Sequence, residues 1–166
     1  MKASPRATRF LHRQLRAATK GRVGVVSRLM QEVIPFNRPH RIAIASLTED
    51  ACTARLPFRR RNLNHLGTMH ACALATVAEY ASGLCVLSVL GVGNHRLIMS
   101  NLSVAYVRRA QSACLATATL DKATRAWLVR ELNEAGKAQF DLVSHVTDAD
   151  GEEVAVATMT WHVKTL

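Results

Sequence analysis

One carboxylate in this chain stands where a hydrophobic side chain is expected. Residues 68–83, TMHACALATVAEYASG, are apolar nearly all round, and Glu79 is the only ionisable carboxylate among them. An unpaired carboxylate taken out of water costs several kcal/mol or rises in pKa until it protonates, which makes a buried one a candidate general base. At about 100° per residue, Cys72 and Thr76 share its helical face, with Ser82 and Gly83 one turn on. The competing assignment is an acid on the helix surface near its C-terminal end, bonded to Tyr80 or to neighbouring arginines. His70 does not pair with Glu79 directly, because nine residues place it on the opposite face and about 13 Å away along the axis. It reads instead as a histidine that fastens the first helical turn to the preceding loop, and His65 as a loop residue. No HExxH, GxSxG, phosphate-binding glycine loop or metal-spaced His/Cys set occurs, and Gly91-Val92-Gly93 reads as a turn between strands.

The element that carries Glu79 is predicted as a helix of about four turns, with Thr68 as N-cap and Gly83 just past its end. Ala71, Ala73, Ala75, Ala78 and Ala81 make it thin, so strands can wrap it closely. Alternation supplies those strands. Ile42, Ile44 and Ser46, then Cys52, Ala54 and Leu56, predict a hairpin turning through Thr48, Glu49 and Asp50. Ile98 to Tyr106, Cys114 to Leu120, Phe140 to Val146 and Val154 to Val163 predict an antiparallel meander with a turn at Asp150-Gly151, interrupted by a short helix from Thr124 to Asn133. Two amphipathic helices are expected ahead of this. One starts at Ser4-Pro5 and stops at Gly21; the other runs through Val26 and Val33 and is ended by Pro35. The expected architecture is α+β, one long buried helix embraced by an antiparallel sheet, with residues 1–34 a basic helical extension and 35–166 the main domain.

Composition bounds the function. With 166 residues, 49% of them apolar and 20% charged, the chain suits one globular domain, not a disordered segment. Glu79 and Arg96 are expected to interrupt every apolar run long enough to span a bilayer. Cys52, Cys72, Cys85 and Cys114 lack CxxC spacing and read as small hydrophobes in a reducing compartment, with no zinc. Residues 1–61 carry 14 Lys and Arg against three acids, a net +11, whereas residues 62–166 carry 8 against 9, a net −1. The basic third lacks interleaved aromatics apart from Phe10, which argues against single-strand nucleic-acid binding. Its acid-free first 31 residues also have the composition of a mitochondrial transit peptide, so a matrix location is the alternative to a cytoplasmic one.

The run Asn64-His65-Leu66-Gly67-Thr68-Met69-His70-Ala71-Cys72, with Glu79 nine residues after the histidine, resembles the signature N-x-x-G-T-x-H-G-G plus acid of hotdog-fold acyl-CoA thioesterases, especially the phenylacetyl-CoA thioesterase-like branch. The wider pattern, through Ser103-Val104-Ala105-Tyr106 to Asp148-Ala149-Asp150-Gly151, is similar to a bacterial branch of that superfamily with no settled activity. The resemblance covers about residues 34 to 164. It implies a hotdog fold in which Glu79 acts as general base or nucleophile, the amides of Ala71 and Cys72 hold the oxyanion, and Asn64 orients the water or the acid. Gly67, His70 and Thr76 would line the substrate, and Ser100 or Asn101, on a central strand, would add a polar contact. Sites in this family usually form across a dimer interface, so Glu79 would face the partner's helix start. Two departures stand out: Ala71-Cys72 replaces the glycine pair, and the acid is Glu rather than the branch's usual Asp.

On this resemblance the arginines acquire a role. Arg59, Arg60 and Arg61 precede the motif and Arg108-Arg109 follow the Tyr106 strand, where they suit coenzyme A phosphates; a solvated charged surface is the alternative. The expected function is an acyl-CoA thioesterase-like hydrolase, a homodimer or tetramer, with no cofactor beyond the coenzyme A part of its substrate. The alternative is a noncatalytic hotdog module that binds an acyl or acyl-CoA ligand. A hydratase on the same fold would need an acid and histidine pairing that is not evident here.

Overall fold

A computed structural model describes residues 5–166. Helices α1 (Pro5–Ala18) and α2 (Val23–Val33) come first, and Pro35 ends the second, opening a short 3-10 turn. The proposed cap at Ser4 lies outside the described residues. Leu15, Ala18, Val26 and Met30 are buried in the same core as the rest of the chain, so these helices are packed onto the domain rather than trailing from it. Next come β1 (Ala43–Leu47), β2 (Ala51–Leu56), α3 (Ala71–Leu90), β3 (His95–Tyr106), β4 (Cys114–Thr119), α4 (Lys122–Ala135), β5 (Lys137–Thr147) and β6 (Glu153–Thr165). In the first hairpin the Thr48 hydroxyl accepts the amides of Asp50 and Ala51, which is why the chain turns there.

The strands form one antiparallel sheet in the order β1-β2-β4-β5-β6-β3. β4, β5 and β6 are the expected meander, but β3 leaves it for the far side of β6, in a register running from His95 opposite Thr165 to Tyr106 opposite Ala155. Ser100 and Asn101 therefore lie on an edge strand of the chain, not a central one, and Ser100 is the extra residue of a bulge.

Helix α3 departs from its expected ends in both directions. Thr68 is not the cap: its hydroxyl accepts the Asn64 side-chain amide, and His70 caps the helix instead, its Nδ1 accepting the Cys72 amide at 3.1 Å. Gly83 does not stop it either, because Leu84, Cys85 and Val86 continue the apolar face. The helix ends at Gly91, whose φ of +72° suits only glycine, so Gly91-Val92-Gly93 begins as a helix cap. At 20 residues, with a mean hydropathy of 1.7, α3 is long and apolar enough to cross a bilayer, so Glu79 does not interrupt it as expected. Most of it is instead buried, Val77, Ala78, Ala81 and Cys85 completely, and the alanine-lined strands β2, β4 and β6 present Ala54, Ala116, Ala118 and Ala157 to the same core. Fully buried Leu56, Val77, Leu84 and Met159 each contribute roughly 1.5–3 kcal/mol.

The sheet's two edges are finished differently. Beside β1, the Ser27 hydroxyl of α2 accepts the Ile44 amide at 2.9 Å and the Gln31 side chain donates to the Ile42 carbonyl at 3.2 Å. β3, at the other edge, pairs with β6 alone.

Candidate functional site

Between Ala71 and Tyr80, the residues of α3 that are not buried are Ala71, Cys72, Ala75, Thr76 and Glu79. Their spacing makes one stripe at helical period, the only face the sheet leaves open there. Glu79 is half-buried on that stripe, and its carboxylate makes no hydrogen bond or ion pair among the described residues. Burial without compensation holds its pKa above the ordinary carboxylate value. Tyr80 is buried and Glu79 finds no arginine, so the surface ion-pair assignment is not what the structure has. Thr76, one turn away, donates its hydroxyl to the Cys72 carbonyl at 2.7 Å. Cys72 is exposed; the other three cysteines are buried thiols.

The loop before α3 is fastened from within. Buried Asn62 donates to the carbonyls of His40 and Pro57, meets the His40 ring at 3.0 Å, and accepts the His70 amide on its own carbonyl. Asn64 spends its side chain on the turn through Gly67: its oxygen accepts the amides of Leu66 and Thr68, and its nitrogen donates to Thr68. The asparagine proposed to orient a water is thus committed to holding residues 64–68, with Gly67 at φ +72°. Of the two proposed oxyanion donors, the Cys72 amide is held by His70, while the Ala71 amide is unbonded among the described residues. Tyr106 was singled out by its motif but given no task. It closes this end of the site, its hydroxyl donating to the Ala71 carbonyl at 3.0 Å, and burial raises its pKa, as does nearby Cys72, so it stays a donor.

An open groove of about 350 Å³ runs past this helix start, lined by Asn64, Thr68, Ala71, Tyr106, Arg108 and Arg109 among others. Arg108 turns toward the β5–β6 turn, pairing with Asp148 at 3.6 Å and Glu152 at 3.2 Å. Arg109 faces the groove with no salt bridge among the described residues. Arg59, Arg60 and Arg61 sit on and before a 3-10 turn outside the groove's lining, Arg60 and Arg61 exposed. Ser100 and Asn101 are exposed on β3, Ser100 donating weakly to the Thr160 carbonyl. Glu79 is not in this groove: eight residues of helix separate it from Ala71, about 12 Å. Among the described residues, no group of three or more His, Cys, Asp and Glu is arranged to hold a metal ion.

A single long helix wrapped by an antiparallel sheet, with an acid on its open face, is the hotdog fold of the thioesterase superfamily. The chain belongs to the DUF4442 family, a domain of unknown function, whose profile matches residues 22–163. It is similar to a Pseudomonas aeruginosa protein of unknown function described as a probable thioesterase, at 28% identity and a TM-score of 0.78 over 84% of this chain and 93% of that one. A thioesterase from Haemophilus influenzae shares the fold at 16% identity and a TM-score of 0.66, over 84% of this chain and 91% of that one. A structural-genomics target at 22% identity and a TM-score of 0.73 covers 95% of this chain and 99% of its own. No curated protein matches the chain.

Proposed function

We propose that the chain is an acyl-CoA thioesterase-like hydrolase in which Glu79 is the general base. The observation that carries this reading is the unpaired, half-buried carboxylate on the only open stripe of α3. Glu79 takes a proton from water as the water oxygen attacks the thioester carbonyl; the C–S bond then breaks and the proton passes to the departing thiolate. The Ala71 amide, at a helix N-terminus where the dipole favours negative charge, stabilises the oxyanion. The 12 Å between these groups exceeds the reach of one carbonyl, so the site is completed by a second copy paired along the open edge of β3. Each Glu79 then faces the other chain's helix start. Coenzyme A enters as part of the substrate, its phosphates meeting Arg109, with Arg59 to Arg61 nearby at the rim. Likeness to the 28%-identical probable thioesterase supports the reaction class.

The test is hydrolysis of a panel of acyl-CoAs by wild type and Glu79→Gln, with sedimentation to establish the dimer. Turnover that disappears with the carboxylate supports the enzyme; turnover untouched by the change refutes it. The second reading, a noncatalytic acyl-CoA binding module, draws on two groups already spent in the chain, the Cys72 amide on His70 and the Asn64 side chain on its own loop. Calorimetric binding of an acyl-CoA without any turnover would select it.

A further inference from the structure

A second cavity lies far from Glu79, where the N-terminal helices meet the beginning of β3. It holds about 770 Å³, within the range of roughly 300–1,000 Å³ typical of small-molecule sites. Two helices build its walls by the same geometry: Ala7 and Leu11 on α1, and Leu29 and Val33 on α2, are each four residues apart and so lie one above the other on their helices. Phe10 and Val92 add apolar surface, and Thr8 packs tightly against Gly93, where an added Cβ would stand 2.2 Å from its methyl. Phe10 is 43% exposed, Val33 56% and Leu166 74%, an apolar group left uncovered among the described residues. Arg96 is the only lining side chain that carries a charge; it forms no salt bridge among the described residues and stands at the border with a neighbouring groove that holds Glu131, Lys137 and Lys164.

We propose that this cavity binds a free single-chain carboxylate of the fatty-acid class, with its tail between α1 and α2 and its head on Arg96. Each property of the ligand answers one of the site. The lining asks for a hydrocarbon, and the Arg96 guanidinium at its edge, beside Lys164 across the strand pair and in no salt bridge among the described residues, asks for one anionic group that accepts its paired N–H donors. The charge of the segment favours an anion, since no acid precedes Glu32 in the sequence. The concave shape fits a single chain rather than a bilayer face. The cavity is separate from both parts of the thioester site: Arg96 and Tyr106 are ten residues apart along β3, about 33 Å, and Glu79 lies 11 residues, about 16 Å, before Leu90, where α3 ends ahead of Val92.

Decanoate titrated by calorimetry below its micellar concentration tests this, with decyltrimethylammonium as the same tail on a cationic head. Saturable binding of about one decanoate per chain is expected. Arg96→Gln should weaken it at least tenfold, Val33→Asp should abolish it, and the cationic amphiphile should bind at least tenfold more weakly than decanoate. Both substitutions are at exposed positions and spare the core. Glu79→Gln should bind decanoate like wild type, which separates this result from any outcome at the thioester site. The proposal is overturned by absence of saturable binding, by binding that survives both Arg96→Gln and Val33→Asp, or by co-sedimentation with anionic phospholipid vesicles in a protein that takes up no decanoate.

Discussion

The two edges of the sheet carry opposite instructions. At β1 the free amide of Ile44 and the carbonyl of Ile42 are met by Ser27 and Gln31, side chains of a helix that also contributes Val26 and Met30 to the core. At β3 a strand of 12 residues is paired on one side alone, and the stripe of α3 that carries half-buried Glu79 is the one the sheet leaves open. Unpaired strand edges invite another chain, and proteins cover those they do not use. The difference teaches what the N-terminal extension does structurally: α2 removes one edge from competition and leaves β3 as the open edge, the one the proposed dimer would use.

The sharpest way to break this contrast is at the acid. Glu79→Gln is expected to lower acyl-CoA turnover by about 100-fold or more, the usual scale for losing a general base, as read from kcat. A negligible loss removes Glu79 from the chemistry, and with it the reason to single out the β3 edge. Next in size, Ser27→Val strands the buried Ile44 amide and should cost roughly 1–3 kcal/mol in urea unfolding. It should also increase self-association measured by sedimentation, because it reopens the sealed edge. His70→Ala removes the cap on the Cys72 amide and should cost about 1 kcal/mol. Turnover should hold or rise as that amide becomes free for the oxyanion. The smallest effect is in pH dependence. Because the folded Glu79 pKa is raised, its contribution to stability is fully present below the ordinary carboxylate range and is lost as pH rises through the folded value. Glu79→Gln should therefore match wild type in acid and gain on it toward neutrality, with kcat of wild type rising over that same interval.

Much of this was legible in the chain because period and composition carry it. The alanine-rich run around Glu79 implied a wrapped helix, and the turns at Thr48 and Asp150-Gly151 were where their residue types put them. The helix ends were not, since Thr68 could cap on its own merits but is claimed by Asn64, a competition invisible until the loop is built. Gly83 looked like a stop because glycine usually serves as one; here it lets an indole pack close against the helix. The position of β3 was illegible for a different reason: alternation reveals which faces a strand has and not which neighbour it chooses. Ser27 and Gln31 look like an ordinary solvated helix face, and only the adjacent strand gives them a task. At the site, His70 was legible as the residue that fastens the first helical turn, whereas the partners of Asn64 proved to be its own loop.

The close approach of Gly83 to Trp161 has a consequence for the acid one turn away. A methyl at residue 83 would stand 3.3 Å from the indole ring, whose nitrogen donates to Ser82 at 3.2 Å, so the rod is keyed against the sheet at this point. It cannot roll about its long axis without lifting off β6. The bearing of the Glu79 carboxylate is thus tied to a missing side chain: the methyl of Gly83→Ala would press on the indole by a few tenths of an ångström and stand 4.0 Å from the carboxylate itself.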